Sequence, residues 1–299
     1  MNASGTPIET LLAVTDFSEG AALALDRAAR LAHDLGADLH IAHGVTLPTV
    51  IPAWGDPGGG AWVDASAIVD AAYEALEREA DRIERLHGDR PKPHVGSGST
   101  HRGMAEVARQ VGADLVVVGA RGRGFKLGRL LGSTAERLVR SLPMPVLVVR
   151  NPTAEGYRRA VIATDFSGPA LAAARAVGRV APDAERLLVH VHEDLYEQLA
   201  AYSRANDDQR AAHSSHAAGQ AMAALKAELE QLQRDGLPAS GVVRDGAATE
   251  VLPGYVEEVG ADLLALGAHG RGGLEHLLLG SVSAWLLARV DCDVLVARD

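Results

Sequence analysis

Gly112-Ala113-Asp114-Leu115-Val116-Val117-Val118-Gly119-Ala120-Arg121-Gly122-Arg123-Gly124 returns as Gly260-Ala261-Asp262-Leu263-Leu264-Ala265-Leu266-Gly267-Ala268-His269-Gly270-Arg271-Gly272, 148 positions later. Gly132-Ser133 returns as Gly280-Ser281 at the same offset, and Ala13-Val14-Thr15-Asp16-Phe17-Ser18 as Ile162-Ala163-Thr164-Asp165-Phe166-Ser167 at an offset of 149. Landmarks kept in order and in step across a hundred positions mark an internal repeat. The 299 residues also suit two domains of ordinary size. The polar segment Asn151-Pro152-Thr153-Ala154-Glu155-Gly156 separates the copies, which sets expected domains at 1–152 and 153–299 with a linker short enough to hold them side by side.

Within each copy, apolar runs alternate with amphipathic helical patterns, the signature of βαβ units and a parallel sheet. In the first copy the pattern predicts strands at 10–15, 38–43, 94–96, 114–118 and 146–149. Helices are predicted from Ser18 as N-cap to Gly36, over 65–86 and 103–111, and from Gly132 onward. The second copy predicts strands at 160–164, 186–191, 241–244, 262–266 and 294–297, with its longest helix over 207–234. The stretch 46–60, carrying Pro48, Pro52, Pro57 and Gly58-Gly59-Gly60, forbids a continuous helix.

Composition narrows the function classes. With 47% hydrophobic and 23% charged residues the chain is globular, and its net charge of −10 argues against a general nucleic-acid binder or an anionic-membrane binder. Any phosphate site must be locally built. The single cysteine, Cys292, excludes an internal disulfide and a Cys-rich metal framework, and beside a C-terminal apolar run it reads as a small buried residue. Residues 1–7 lack the charge and apolar run of a secretory signal, and no apolar segment reaches the ~20 residues that span a bilayer. The expected location is the cytoplasm.

The repeated loop, Gly119-x2-Gly122-x9-Gly132-Ser133 and Gly267-x2-Gly270-x9-Gly280-Ser281, carries the strongest chemical signal. Glycines after a strand allow positive φ and let phosphate oxygens approach main-chain N–H groups. A helix beginning at Gly132 or Gly280 offers unpaired N–H groups and a positive dipole end, and Ser133, Thr134, Ser281 and Ser283 add hydroxyls. Arg121, Arg123, Lys126 and Arg129 make the first loop basic, whereas Arg271 is offset by Glu275 in the second. The alternative is that these loops merely connect strand to helix. Asp16 and Asp165, at the carboxyl end of the first strand of each copy, either meet a ribose or a divalent ion at the topological switch point, or cap the following helix.

The strand-one Asp, the spaced glycines, the Gly-Ser helix start and the final apolar strand together resemble the nucleotide-binding signature of universal stress proteins, over nearly the whole chain and twice. The resemblance implies two tandem Rossmann-like (adenine nucleotide alpha hydrolase-like) α/β domains, each a five-stranded mainly parallel sheet flanked by helices. It implies ATP as ligand, with Mg or Mn as candidate ion and the metal ligands unassigned. It also implies dimer-like packing of the domains through their final strands, or a homodimer of whole chains, with an unnamed protein partner. By resemblance, Val14 and Gly44 in the first copy and Ala163 and Val191 in the second line the adenine and ribose region. Val118 and Leu266 precede the loops whose Gly119, Gly122, Arg123 and Gly132, and Gly267, Gly270, Arg271 and Gly280, would hold phosphate with Ser133-Thr134 and Ser281-Val282-Ser283.

Three positions depart from the family pattern. Gly44 has no side chain where a Val would pack on the base. Thr134-Ala135 stands where the second copy has Val282-Ser283, closer to the ATP-binding form. Asp293 replaces a customary Pro, a change expected to bear on how the last strand begins and not on ligand. These differences predict two sites unequally occupied.

Weaker signals have ordinary readings. His213 and His216, three apart on a helix, lack a third metal ligand; His190 and His192 share a strand face; Trp54 and Trp62 anchor a loop or close over ligand. There is no Gly-Lys-Ser/Thr phosphate loop, no Gly-x-Ser-x-Gly elbow and no metalloprotease His motif. Without a general base for phosphoryl transfer, the expectation is a regulatory nucleotide binder and not an enzyme. The alternatives are slow ATP hydrolysis or adenylyl transfer assisted by Asp16 or Asp165, and a scaffold that binds no nucleotide.

Overall fold

The computed structural model describes residues 6–46, 65–98, 100–122, 131–152, 155–193, 207–270 and 279–298. The first half runs β1 (Thr10–Val14), α1 (Glu19–Leu35), β2 (Asp38–Val45), α2 (Ala65–His87), β3 (Lys92–Ser97), α3 (Thr100–Val111), β4 (Leu115–Gly119), α4 (Ser133–Ser141) and β5 (Val146–Val149). The second runs β6 (Arg159–Ala163), α5 (Gly168–Val180), β7 (Glu185–His192), α6 (Asp207–Arg234), β8 (Ser240–Asp245), α7 (Ala248–Val259), β9 (Leu263–Gly267), α8 (Ser281–Arg289) and β10 (Asp293–Ala297).

The opening motif has a local physical logic. Gly112 and Gly260, at φ 66° and 61°, take the left-handed conformation that ends a helix. Two residues on, Asp114 accepts from the Glu9 and Thr10 N–H groups at 2.9 and 3.0 Å. Asp262 does the same for Arg158 and Arg159 at 2.9 and 3.1 Å. Each carboxylate thus satisfies the first amides of the neighbouring strand and sets its register, Leu11 opposite Leu115 and Ala160 opposite Leu263.

All ten strands form one sheet, ordered β3-β2-β1-β4-β5-β10-β9-β6-β7-β8. Pairing is parallel within each half, and the halves join through antiparallel β5 and β10, Val148 opposite Val294. Strand alternation sends Leu11 and Ala13 to one apolar layer with α1, α2, α5 and α6. Leu12 and Val14 go to the opposite layer with α3, α4, α7 and α8. Both layers run through both halves. Hydrophobic burial therefore ties the copies together as it folds each one.

Two arginines clamp the seam in a quasi-symmetric way. The Arg150 guanidinium donates to the Leu287 carbonyl at the end of α8. Arg298, its counterpart, donates to the Val139 and Arg140 carbonyls at the end of α4, at 3.0 and 2.7 Å. A cation at a helix C-terminus meets unpaired carbonyls and the negative dipole end.

Asp293 does more than begin the last strand, which corrects the expectation from sequence. It is 1% exposed and accepts from the Arg150 N–H at 2.8 Å and the Tyr157 hydroxyl at 2.6 Å. Arg27 of α1, 4% exposed, lies with its Nε 3.4 Å from Asp293 Oδ2, the oxygen Tyr157 donates to, and its guanidinium 4.1 Å above the Tyr157 ring. Burial raises the Tyr157 hydroxyl well above its ordinary pKa, with the Asp293 charge adding to the shift. At the repeat-equivalent positions stand Pro145, Ala176 and Ile8, so this polar cluster occupies one side of the seam only. Cys292 is buried as expected, its thiol pushed up to about 12 chiefly by burial.

Candidate nucleotide site

Within each half, β1 and β4, or β6 and β9, are neighbours whose onward connections leave in opposite directions. The crevice beyond their carboxyl ends is the switch point where open α/β sheets take ligands. Each half has a cavity there, of about 350 Å³ in the first and about 270 Å³ in the second.

Its floor is the duplicated Thr-Asp-Phe-Ser turn. Phe17 and Phe166 sit at φ 59° and 62°, a left-handed conformation costly for a bulky residue. Four contacts hold it in the first copy. The Thr15 hydroxyl accepts from the Phe17 N–H at 2.9 Å, Asp16 Oδ1 from the Ser18 N–H at 3.1 Å, and Ser18 Oγ from the Ala21 N–H at 3.2 Å. The Phe17 ring packs on His43 at 4.5 Å. His43 Nδ1 lies 2.8 Å from the Thr15 carbonyl; a carbonyl only accepts, so Nδ1 carries the proton. Thr164, Asp165, Phe166, Ser167 and His190 repeat every contact. Ser18 and Ser167 are thus the caps, and the Asp carboxylates brace the turn and line the cavity.

The glycines differ from the sequence expectation in their conformation. None of Gly119, Gly122, Gly132, Gly267, Gly270 or Gly280 takes a positive φ. A Cβ on Gly119 would stand 2.4 Å from the Gly20 carbonyl oxygen, and one on Gly267 2.9 Å from the Ala170 nitrogen. These two let the first turn of α1 or α5 press against the strand end. A Cβ on Gly122 or Gly270 would lie 2.4 or 2.6 Å from Asp16 or Asp165 Oδ2, so each loop lies directly against its carboxylate. Gly132 and Gly280 are the N-caps of α4 and α8 and make no side-chain cap bond. Among the described residues the first-turn N–H groups of both helices therefore receive no side chain from their N-cap.

The first cavity gathers Val14, Asp16, Gly44, Val118, Gly119 and Gly122, with Gly132, Ser133 and Thr134. The second gathers Ala163, Asp165, Val191, Leu266, Gly267 and Gly270, with Gly280, Ser281, Val282 and Ser283. Arg123 and Arg271 lie outside the described residues, as do Lys126, Arg129, Glu275, Trp54 and Trp62. Ser283 turns inward and donates to the Gly267 carbonyl at 2.8 Å. Arg121, expected to make the first loop basic, lines the first cavity; sequence reasoning missed Thr15 and His43 there, and Thr164, Ala248, Leu252 and His269 in the second. The duplicated Thr-Asp-Phe-Ser string and the paired His43 and His190 were the signals available. Among the described residues no three His, Cys, Asp or Glu side chains cluster as a metal cage, and no helix is long and apolar enough to cross a membrane.

The universal stress protein family model matches residues 7–150 and again 156–298. A universal stress protein of Mycobacterium tuberculosis is 30% identical over 202 residues, covering 65% of this chain and 64% of the relative. One from Synechocystis is 27% identical over 186 residues, covering 62% of this chain and 58% of the relative. Each match thus spans less than two thirds of the relative's own length. A crystal structure of a universal stress protein from Archaeoglobus fulgidus superposes with a TM-score of 0.71 at 21% identity over 97% of this chain and 98% of that one, a likeness of fold. With the family model matched twice in tandem, on the fold and turns described above, this chain belongs to the universal stress protein family.

Proposed function

We propose that the chain is a tandem regulatory module of two domains, residues 1–152 and 153–299, each holding an adenine nucleotide, ATP foremost, as an effector of a stress response in the cytoplasm. The observation that carries this reading is the duplicated cavity at the switch point, faced by a helix N-terminus without a capping side chain. Backbone N–H groups and the dipole at such an end favour a phosphate chain. Val14 and Val118, or Ala163, Val191 and Leu266, offer apolar contact to a base, and Asp16 or Asp165 an acceptor for ribose hydroxyls.

The donor set fits Mg or Mn only as a companion of the phosphates. Among the described residues each cavity supplies one carboxylate, and magnesium is commonly held by one or two carboxylates plus phosphate oxygens and water. Asp16 and Asp165 would be those ligands. Such an ion would supply charge neutralisation along the phosphate chain. Among the described residues neither cavity brings a second carboxylate that could serve as general base, which favours an effector over a substrate.

The test is calorimetric titration of the full chain with ATP, with and without Mg. Saturable binding is expected, weakened at least tenfold in Gly122→Val and Gly270→Val combined, whose side chains would meet the Asp carboxylates. Absence of any ATP binding to the folded wild-type chain would contradict the reading.

A further inference from the structure

We propose that the two cavities read opposite ends of the nucleotide: the first is selective for the phosphate chain, and the second for the nucleoside. This inference rests on the reading that both are nucleotide sites.

It comes from three repeat-equivalent positions at which the cavities differ in the same sense. Gly44 in the first corresponds to Val191 in the second, each following the His that braces the floor turn. Thr134 corresponds to Val282, one residue inside the helix start. Arg121 corresponds to His269, on the loop beside the Asp turn. A guanidinium and a hydroxyl favour an anionic chain. The second cavity has His269 in place of the guanidinium, Val282 in place of the hydroxyl and Val191 in place of the glycine, and the two valines favour a flat apolar ring.

The neighbouring strand and helix push the same way. Leu252 of α7 lines the second cavity, whereas Met104 of α3, its counterpart, is fully buried and does not line the first. The cause is on the edge strand. Gly96 of β3 leaves space that Met104 fills, since a Cβ there would stand 2.4 Å from the Met104 methyl. The position in β8 that matches Gly96 is Arg244, which lies over Tyr255 and pairs with Glu258 at 2.9 Å. Leu252 is then left facing the cavity with Val191. The volumes agree, the second cavity being the smaller at about 270 Å³ against about 350 Å³. A smaller cavity with two valines on its wall gains most from a flat ring, and a larger one with an arginine from charge.

Calorimetric titration of the full chain with ATP, adenosine and inorganic tripolyphosphate, each separately, tests this. ATP is expected to fill two sites per chain, adenosine one and tripolyphosphate one. Arg121→Ala should weaken tripolyphosphate about tenfold or more and leave adenosine unchanged. Val191→Ala should weaken adenosine about tenfold and leave tripolyphosphate unchanged. Gly44→Val is the gain-of-function arm: its side chain should raise adenosine stoichiometry from one to two. Two ATP sites that take adenosine and tripolyphosphate alike, or an Arg121→Ala effect confined to adenosine, overturn this inference and leave nucleotide binding standing. Failure of ATP to bind at all overturns both.

Discussion

At the scale of single residues, the glycines of the repeated loop carry packing before they carry chemistry. Gly119 sits under the first turn of α1 with a backbone carbonyl where a Cβ would go, at 2.4 Å, and backbone cannot give way as a flexible side chain can. Gly119→Ala is therefore expected to lower the urea-unfolding free energy by about 1–3 kcal/mol. Gly267→Ala should cost less, because its nearest contacts stand at 2.9–3.0 Å. Equal losses in the two variants would show that strand-end crowding is not what these glycines relieve. Their spacing was legible in the sequence, but their role was not, because a glycine looks the same whether it makes room for a phosphate or for a helix. The left-handed Phe17 and Phe166 were hidden for a related reason: no local rule favours phenylalanine there, and it is contacts from Thr15, Asp16, Ser18 and His43, or their second-half equivalents, that hold the turn.

Among elements, strands and helices were readable to within a few residues, since the sheet is buried on both faces and its strands are nearly continuous apolar runs. The main shortfall was β3, expected at 94–96 and observed over Lys92–Ser97. Lys92, Pro93 and Gly96 disguise it, and such residues are tolerated at a sheet edge. That edge carries a titratable pair. His40 Nδ1 of β2 lies 2.7 Å from His94 Nε2 of β3, with the rings stacked at 4.9 Å. Burial lowers both pKa values; the positive charge of Lys92 adds to both shifts, and that of His94 to His40. The unfolded histidines, near 6.5, bind protons more readily than the folded ones. The pair's contribution is complete above that pH and is lost as pH falls through the depressed folded values. The urea midpoint should accordingly fall between pH 7.5 and pH 5. The drop should be smaller in His40→Leu/His94→Val, which installs the second half's Leu187 and Val242. An undiminished drop in that double variant would assign the acid sensitivity elsewhere.

For the whole molecule, the duplication is nearly symmetric in backbone and unsymmetric where it matters. The seam joins β5 to β10 as the family resemblance implied, but the buried Arg27, Tyr157 and Asp293 cluster secures it on one side alone. Sequence could flag Asp293 as unusual and could not foresee its partners, which lie 136 and more positions away in the chain. Removing one member of a buried ion pair strands the other, so Asp293→Ala should cost about 3–5 kcal/mol in urea unfolding. Asp293→Ala combined with Arg27→Ala should recover part of that loss. A single-variant cost below about 1 kcal/mol would mean the cluster behaves as a surface pair and does not secure the seam. The same asymmetry extends to the two cavities, whose shared floor turns carry different walls.

Mass spectrometry of small molecules released when freshly purified full chain is heat-denatured tests the central claim most directly, because it reads occupancy and identity together. Adenine nucleotide is predicted in the released fraction, up to two per chain and diminished in the Gly122→Val/Gly270→Val variant. Release of no adenine nucleotide, with no binding signal on later addition of ATP to the folded chain, would contradict it.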